Sequence, residues 1–384
     1  MRRPQTMPRV MACVLMVVSG LLTACSSSSS QPAAKAFSSL QTQRFDEIVH
    51  AAIAIHQLPG VVVSIDDPSR GAFVKAYGTA DVAAGRKLQL NDRYRVYSVT
   101  KTFTATAILQ LVDGGQLSLD DTLEKHVQGV PNGGLITIRE LLAMRAGIYD
   151  YFTDKQFQDA FNANPLLPGW KPTDVLPLLQ RHAAEFTPPD QQSVYSSSNY
   201  ILLGLVLEAV TKQPADRWIT DHVIQPLGLS ATSFPTTPAM PEPYARGYDL
   251  SSGMRDVTQS NPDAAWTAGA IVSDVPDMTR YVKQLATGKL LHASTQTERL
   301  KLRPFAPSGI GIRFQYGLGI AQVGDWLGHS GGGAGYSDNV SYLPSQGATV
   351  VVMVNASTTT GDVGGMDIWL PLVRYLYPTS LPNE

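Results

Sequence analysis

Two serine-containing patterns in the chain could each supply a nucleophile for acyl transfer. The stretch GHSGG, residues 328–332, matches the pattern G-x-S-x-G, in which a serine stands on a sharp turn between a strand and a helix. The stretch YSVTK, residues 97–101, places Ser98 three positions before Lys101, which matches the pattern S-x-x-K. The two patterns need different partners elsewhere in the chain, so the surrounding sequence can decide between them.

The G-x-S-x-G pattern lacks the context that its chemistry requires. The residues after Ser330, GGAGYSDNVSYLP, are typical of a turn and then a strand, not of a helix. In enzymes that use a G-x-S-x-G nucleophile, the general base is a histidine that follows the serine in the chain. No histidine follows Ser330, because the last one is its neighbour His329. We therefore do not expect Ser330 to be a nucleophile.

A helix could bring the serine and the lysine of the S-x-x-K pair together for a reaction. Side chains three positions apart share one face of a helix, and a serine in the first turn lies near free backbone N–H groups that favour an alkoxide. Lys101 can accept the serine proton only when it is neutral, so its pKa must fall from about 10.4 to about 7. Burial among the apolar residues of TFTATAILQLV, together with a second cation, could cause that fall.

Two further motifs follow later in the chain. The stretch VYSSSNYILLGLVLE places Tyr195 directly before an apolar helix, and a tyrosine near Ser98 could pass the proton to a leaving group. The triplet from His329 to Gly331 then reads H-x-G and precedes a strand. The order of motifs is S-x-x-K, then Y-x-x, then H-x-G.

With these motifs the chain resembles the serine β-lactamase-like superfamily. The branch is the one that contains class C β-lactamases, Streptomyces-type D-alanyl-D-alanine carboxypeptidases and family VIII esterases. The similarity covers roughly residues 40–375 and includes the stretches RYRVYSVTKTFTA, LQLVDGGQLSLDD, ITIRELLAMRAGIYDY and YGLGI. The resemblance implies an α/β (α+β) fold, in which an antiparallel sheet is flanked by N- and C-terminal helices and carries a mainly helical inserted domain.

The resemblance also implies catalytic roles. Ser98 is similar to the acylated nucleophile of the family, and Lys101 to its proton acceptor. Tyr195 resembles the tyrosine that passes the proton to the leaving group and later activates water. The backbone N–H groups of Ser98 and Gly332 would form the oxyanion hole.

Substrate-binding roles are implied for Ser197, His329 and Gly331. His329 and Gly331 match the H-x-G motif that replaces K-T-G in this branch. Ser197 stands where the family motif Y-x-N has an asparagine that binds the acylamido group of the substrate. Serine is shorter and has one donor, so this contact is in doubt. Tyr149 and Tyr151 are candidates for the wall of the cleft, with packed aromatic rings as the alternative.

A second departure from the family concerns the substrate carboxylate. The Streptomyces-type carboxypeptidases have an arginine just after YGLGL that binds this carboxylate, whereas YGLGI is followed here by Ala321. Whether Arg313 replaces that arginine is open. His329 also removes the fixed charge of a lysine, because histidine titrates near pH 6.5. These departures favour neutral esters or amides and disfavour an efficient β-lactamase.

The elements that must position these residues follow from the hydrophobic pattern. A helix is expected over residues 37–57, and GVVVSIDD and GAFVKAYGTA are expected to be strands. Helices dominate from about 98 to 225, strands return after about 265, and a last helix contains one proline. Within the helical region, TIRELLAMRAG is expected to be a helix that begins with a capping box of Thr137 and Glu140 and ends at Gly147. We expect an α/β domain from residues 37–90 and 266–384, a mainly helical domain from 91–265, and the active site between them.

The N-terminus is typical of an exported lipoprotein. Residues 1–24 have a positive start and a thirteen-residue apolar core, and the stretch LTAC at residues 22–25 resembles a lipobox. Cys25 would carry the lipid, and residues 25–36 would form a flexible tether. The predicted location is extracytoplasmic, on the bacterial cell membrane. An ordinary secreted protein that is cleaved nearby is the alternative.

Composition narrows the possible partners. The net charge is −2 and no basic run occurs, so nucleic acid is not expected as a partner. The only two cysteines are Cys13 and Cys25, so no disulfide or thiol nucleophile is expected in the mature domain. No metal-ligand spacing occurs among the seven histidines, and neither a metal nor another cofactor is expected. The sequence does not determine the oligomeric state.

Several functions remain open at this point. The first is a lipid-anchored serine hydrolase that acts through an acyl-enzyme on an amide or ester, either as a D-Ala-D-Ala carboxypeptidase or as an esterase. The substrate would then be a small acyl compound or a fragment of peptidoglycan. A weak β-lactamase is one alternative, and a non-catalytic lipoprotein that binds penicillin or cell wall is another.

Overall fold

The structure is a computed structural model that describes residues 35–305, 311–357 and 365–383. The predicted signal peptide, Cys25 and the tether up to residue 34 lie outside these ranges, so lipid attachment stays a prediction. None of the helices in these ranges combines the length and the apolar composition of a membrane-spanning segment.

Fourteen strands occur in the described residues, and nine of them form one antiparallel sheet. The strands are β1 (Gly60–Asp67), β2 (Gly71–Asp81), β3 (Arg86–Lys87), β4 (Tyr94–Arg95), β5 (Tyr248–Asp249), β6 (Arg255–Asp256), β7 (Val272–Ser273), β8 (Arg303–Pro304), β9 (Phe314–Tyr316), β10 (Ala321–Val323), β11 (Trp326–Gly333), β12 (Tyr336–Leu343), β13 (Ala348–Val354) and β14 (Ala356–Ser357). The order in the large sheet is β3-β2-β1-β13-β12-β11-β10-β9-β8. Strands from both ends of the chain meet where β1 pairs with β13.

The helices flank this sheet and fill the middle of the chain. They are α1 (Ser39–His56), α2 (Thr100–Asp113), α3 (Ile138–Leu142), α4 (Lys155–Ala163), α5 (Val175–Arg181), α6 (Ser198–Thr211), α7 (Ala215–Ile219), α8 (Trp266–Gly269), α9 (Val275–Ala286), α10 (Ala293–Arg299) and α11 (Gly365–Leu376). The first and last helices, α1 and α11, pack on each other and on the sheet. This arrangement confirms the predicted fold class. The proposed division into two domains stays a prediction.

The central strands are buried on both faces, which explains their continuous apolar sequences. Val61 and Val63 of β1 belong to a core cluster beneath α1 and α11, whereas Val62 between them belongs to a second cluster beneath the other helices. Likewise, Val350 and Val351 of β13 face opposite clusters. Alternate side chains of a strand point to opposite faces, so one sheet serves two cores.

The region after residue 265 is more helical than the sequence pattern indicated. Helices α8, α9 and α10 precede the return of the strands. Helix α9 buries Met278, Tyr281, Val282 and Leu285 against the sheet, and these residues have the spacing of one helix face. Asp274 caps the helix by accepting a hydrogen bond from the Asp277 N–H group. This cap and the apolar spacing were the available sequence signals.

The helix starts and ends follow local side-chain chemistry. The predicted capping box at α3 is confirmed: Thr137 accepts from the Glu140 N–H, and Glu140 accepts from the Thr137 N–H. The helix ends at Leu142 and does not extend to Gly147. Ser98 precedes α2 in a short 3₁₀ turn from Tyr97 to Val99.

Candidate active site

A cleft of about 540 Å³ contains Ser98 and Lys101. It lies beside the end of β11, the 3₁₀ turn before α2, the start of α6 and the N-terminus of α8. Its wall is formed by Arg95, Tyr97, Ser98, Lys101, Asp150, Phe152, Phe157, Gln158, Phe161, Asn162, Tyr195, Ser197, Ser260, Asn261, Pro262, Ala264, Ala265, Ala268, Gly269, Ala270, Gly332, Gly333 and Ala334. The structure therefore brings residues of the S-x-x-K and Y-x-x motifs to one cleft, together with Gly332, which directly follows the H-x-G motif.

The S-x-x-K pair is in hydrogen-bond contact. The Lys101 Nζ atom lies 2.9 Å from the Ser98 Oγ atom and 3.0 Å from the Ala268 carbonyl oxygen, to which it donates. Tyr97, just before the serine, has a positive φ of 34°, a strained value that is uncommon outside glycine. Its hydroxyl donates to the Ala334 carbonyl oxygen at 2.8 Å. This contact ties the serine-bearing turn to the hairpin of β11 and β12.

Lys101 is electrostatically suited to act as a base. Its side chain is about 1% exposed, and this burial lowers the pKa of the amine to about 7, although the charge of Asp150 raises it. Burial disfavours the ammonium form because the charge loses its hydration. The predicted fall in pKa is thus present, and its cause is burial alone, without the second cation that we considered.

Tyr195 lies near Lys101 in the cleft wall. The Lys101 Nζ atom is 5.1 Å from the centre of the Tyr195 ring. The segment around Tyr195 is held by its neighbours: the Val194 N–H donates to the Met144 carbonyl oxygen at 3.2 Å, and the Ser196 hydroxyl donates to the Tyr149 carbonyl oxygen at 3.2 Å. Ser197 also lines the cleft, as its predicted substrate-binding role requires.

The glycines of β11 allow this strand to lie against the serine-bearing turn. Strand β10 pairs with β11 only up to Gly328, so the following residues of β11 face the 3₁₀ turn. A Cβ atom on Gly331 would lie 2.3 Å from the Val96 carbonyl oxygen, and one on Gly333 would lie 2.4 Å from the Tyr97 ring. Gly332 lies in the cleft wall with Ser98, as the oxyanion-hole prediction requires.

His329 and Gly331 lie behind the cleft wall. The His329 side chain is buried, with Nδ1 2.6 Å from the Ser330 carbonyl oxygen and Nε2 3.0 Å from the Tyr316 hydroxyl. Because a carbonyl only accepts, Nδ1 carries the proton and Nε2 accepts from Tyr316. Burial and the charge of Lys101 lower the pKa of His329 to about 4. Both ring nitrogens have protein partners, so the substrate-binding role of His329 stays a prediction.

The two positions considered for binding of the substrate carboxylate, Ala321 and Arg313, have other surroundings. Ala321 is buried in β10, and the Arg313 guanidinium is 2.6 Å from the Asp325 carboxylate and 3.0 Å from the Gly324 carbonyl oxygen. Neither residue lines the cleft. The guanidinium that does line it belongs to Arg95, which donates to the carbonyl oxygens of Thr258 at 3.2 Å and Pro238 at 2.8 Å.

Sequence reasoning missed part of the wall. The stretch GIYDYF contributes Asp150 and Phe152 to the cleft, whereas Tyr151 is buried and Tyr149 stacks on His182 at 3.9 Å. The packed alternative therefore holds for both tyrosines. Helix α4 adds Phe157 and Phe161, which the sequence analysis did not consider. The available sequence signal was the aspartate at position 150, because an aspartate often accepts from the N–H group two positions later, as Asp150 does from Phe152.

Within residues 35–305, 311–357 and 365–383, no group of three or more His, Cys, Asp or Glu residues could hold a metal ion.

Comparisons with known proteins agree with this geometry. A family model described as Beta-lactamase matches residues 45–371. A solved D-stereospecific amidohydrolase from Streptomyces sp. is 31% identical, with a TM-score of 0.76, over 85% of this chain and 97% of that chain. The D-amino acid amidase from Ochrobactrum anthropi SV3, solved with L-phenylalanine amide, is 21% identical with a TM-score of 0.76 over 88% and 99% of the two chains, which shows a shared fold alone.

A curated relative is longer than this chain. Protein flp of Staphylococcus aureus (strain MW2) is 32% identical over 248 residues, which are 63% of this chain and 48% of that protein. The chain thus matches about half of the length of that relative.

Proposed function

The chain belongs to the Beta-lactamase family and is a serine hydrolase, and on that premise we propose that it hydrolyses amides or esters through an acyl-enzyme on Ser98. The observation that carries this proposal is the 2.9 Å contact between Ser98 Oγ and the buried Lys101 Nζ. A neutral amine at that distance can accept the serine proton as the oxygen attacks.

The steps follow from the positions of the cleft residues. Lys101 accepts the Ser98 proton while Oγ bonds to the carbonyl carbon of the substrate, and the N–H groups of Ser98 and Gly332 bind the oxyanion. The proton passes by way of Tyr195 to the leaving nitrogen or oxygen, and the bond to that atom breaks. Water then attacks the acyl-enzyme with Tyr195 or Lys101 as the base, which releases the acid and restores Ser98.

Amides of D-configured residues are the substrates that we favour. The relative with 31% identity is a D-stereospecific amidohydrolase. The ion pair of Arg313 and the burial of Ala321 support an uncharged leaving group over a terminal carboxylate, because the carboxypeptidase arginine has no counterpart there. We also retain the proposal that Cys25 carries a lipid and holds the enzyme outside the cell membrane.

The test compares two serines in one chain. We expect Ser98→Ala to abolish hydrolysis of a nitrophenyl ester and of D-amino acid amides, whereas Ser330→Ala retains most of both activities. Intact mass after brief incubation should show an acyl adduct on the wild type and on Ser330→Ala but not on Ser98→Ala. Equal loss in both variants would reject Ser98 as the nucleophile.

A substrate panel separates the remaining functions. It contains a nitrophenyl ester, a D-phenylalanine amide, a D-Ala-D-Ala peptide and a chromogenic cephalosporin, each with the same mass readout. Turnover of the amide supports the proposal, and turnover of the peptide alone supports a carboxypeptidase. An adduct that forms with the cephalosporin and never turns over, with no hydrolysis of the others, would identify a non-catalytic penicillin-binding protein.

A further inference from the structure

Helix α8 ends after one turn, and this end leaves the Ala268 carbonyl for the catalytic lysine. In a longer helix the Ala268 carbonyl would accept from the N–H group of residue 272, four positions later. The Val272 N–H instead donates to the Ser233 carbonyl oxygen at 3.0 Å. The donor to the Ala268 oxygen is Lys101, whose Nζ atom lies 3.0 Å away.

Two threonines of α2 replace the next backbone contact of α8. A longer helix would also join the Thr267 carbonyl to the Ile271 N–H. The Thr104 hydroxyl donates to the Thr267 carbonyl oxygen at 2.7 Å. The Ile271 N–H donates to the Thr100 hydroxyl at 3.0 Å. Side chains of one helix thus satisfy the two backbone groups that another turn of α8 would have paired.

Thr267 fixes α8 on its other side, against α6. Its hydroxyl donates to the Tyr200 carbonyl oxygen at 2.8 Å. A Cβ atom on Gly204, one turn later in α6, would lie 2.3 Å from this hydroxyl, so the close contact of the two helices requires glycine there. Thr100, Thr104 and Thr267 are all fully buried, so water does not compete for these hydrogen bonds.

The base and the threonines that fix α8 lie on one face of α2. Thr100 and Thr104 are four positions apart, and Lys101 and Thr104 are three apart, which are the spacings of neighbours on a helix surface. The stretch TKTFT, residues 100–104, therefore carries both the lysine and the groups that hold the carbonyl to which the lysine donates.

This carbonyl restricts how the amine can point. A neutral amine has two N–H groups and one lone pair, and a carbonyl oxygen only accepts, so one N–H points to Ala268. With that N–H fixed, the lone pair can face the Ser98 Oγ atom, 2.9 Å away. As Oγ bonds to the substrate carbon, its O–H bond breaks and the proton forms the third N–H bond of the ammonium group.

We propose that Thr100, Thr104 and Thr267 are positioning residues, which keep the Ala268 carbonyl oxygen in contact with the Lys101 amine and thereby direct its lone pair to Ser98. This inference rests on the proposed acyl-enzyme chemistry of Ser98 and adds the residues that orient its base. None of the three threonines is part of the described cleft wall, so they act through Lys101 and not on the substrate.

The experiment removes one hydroxyl from α2. Thr104→Val keeps the branched shape of the side chain and loses the donor to the Thr267 carbonyl, whereas Thr104→Ser keeps the donor. The matched control is Thr102→Val, because Thr102 is also fully buried in α2 but its hydroxyl contacts the Val99 carbonyl oxygen at 2.7 Å and the Tyr281 hydroxyl at 2.6 Å. Neither of these partners belongs to α8. Hydrolysis of a neutral nitrophenyl ester is measured from pH 3.5 to 9 per folded protein, with the folded fraction from circular dichroism.

For Thr104→Val we expect two changes. The value of kcat/KM above pH 7 should fall about tenfold to a hundredfold, because a displacement of about 1 Å in a reacting group has an effect of that size. The acid limb should move to lower pH, because a carbonyl oxygen binds an ammonium group more strongly than an amine, and its displacement lowers the pKa of Lys101. The other groups that face Lys101 stay unchanged in this variant; they are Asp150, Tyr195, Tyr200 and His329. A purely structural loss would lower the folded fraction and leave the limb in place.

The remaining variants decide between positioning and general packing. Thr104→Ser and Thr102→Val should keep the wild-type kcat/KM and the wild-type limb. Thr267→Val should show the same two changes as Thr104→Val, which covers the case in which Thr104→Val does not fold. An unchanged kcat/KM or an unchanged limb in the folded variant, or the same changes in Thr102→Val, overturns the inference. If the wild type neither hydrolyses the ester nor forms an acyl-enzyme with it, the proposed function itself fails.

Discussion

At the scale of single residues, the protonation state of Lys101 decides whether its amine can accept the Ser98 proton. Lys101 is about 1% exposed, and its pKa of about 7 leaves a large neutral fraction at physiological pH. A solvated lysine would be almost entirely protonated there, since its pKa is about 10.4. The apolar packing around α2 therefore lowers the pKa of a common side chain into the range that the proposed base requires.

The pH profile of the enzyme tests this residue directly. Because only the neutral amine accepts the serine proton, we expect kcat/KM to be constant above about pH 7 and to fall about tenfold per pH unit below it. His329, with a pKa of about 4, is neutral over this range and cannot cause the limb. Steady-state kinetics on a neutral nitrophenyl ester from pH 3.5 to 9 measures it. A limb at pH 4 to 5 would contradict the role of Lys101.

At the scale of elements, the close approach of β11 to the turn that carries Ser98 depends on glycines, which have no Cβ atom. Gly331 and Gly333 face Val96 and Tyr97 at distances that no Cβ atom could adopt. The strand therefore lies near enough for Gly332 and Ser98 to share the cleft. The glycines of GHSGGG thus allow a strand to approach this turn closely. They do not form the sharp turn between a strand and a helix that the G-x-S-x-G pattern describes.

We expect Gly331→Ala to destabilise the protein by about 1–3 kcal/mol, because the added methyl group must displace β11 or the turn. Hydrolysis should fall more steeply than the folded fraction, since the displacement separates Gly332 from Ser98. Thermal unfolding and ester hydrolysis measure the two effects.

Gly114→Ala is the control for this change. Gly114 has a φ of −81°, and its nearest neighbour would be 3.5 Å from the new Cβ atom. We expect this variant to resemble the wild type. A fully active and stable Gly331→Ala would show that close packing of β11 is not required.

At the scale of the whole molecule, two cores share one sheet. Trp369 of α11 is fully buried in the cluster beneath α1 and α11, while α2, which carries Lys101, contributes Phe103 and Ile108 to the other cluster. Strands β1, β12 and β13 contribute to both clusters through alternate residues. Loss of one core should therefore disrupt the sheet on which the other core also packs.

We expect Trp369→Ala to lower the free energy of unfolding by about 3–5 kcal/mol, although Trp369 is not in the cleft. Denaturant unfolding followed by tryptophan fluorescence and by loss of ester hydrolysis should give coincident transitions, because the cores unfold together. Arg374→Ala, at an exposed position of the same helix, should leave both midpoints unchanged. Separate midpoints for the two probes would instead show that the cores unfold independently.

Local chemistry made much of the fold predictable. The α1 helix, the strands β1 and β2 and the capping box of α3 depend on spacing and on neighbours in the chain, so their patterns predicted them. The boundaries were less certain: α3 ends before its glycine, and α9 replaces part of an expected strand region. Those outcomes depend on packing against distant segments, which spacing does not record.

The sequence by itself determined which residue types could react, because the S-x-x-K spacing, Tyr195 and the absence of a histidine after Ser330 are facts of the chain. Only the tertiary structure decided which side chains face the cleft. It placed the buried His329 ring against the Tyr316 hydroxyl, and it brought the charge of Asp150 close enough to act on Lys101. The physical reason is that pKa and exposure depend on burial and on charges from segments far apart in sequence.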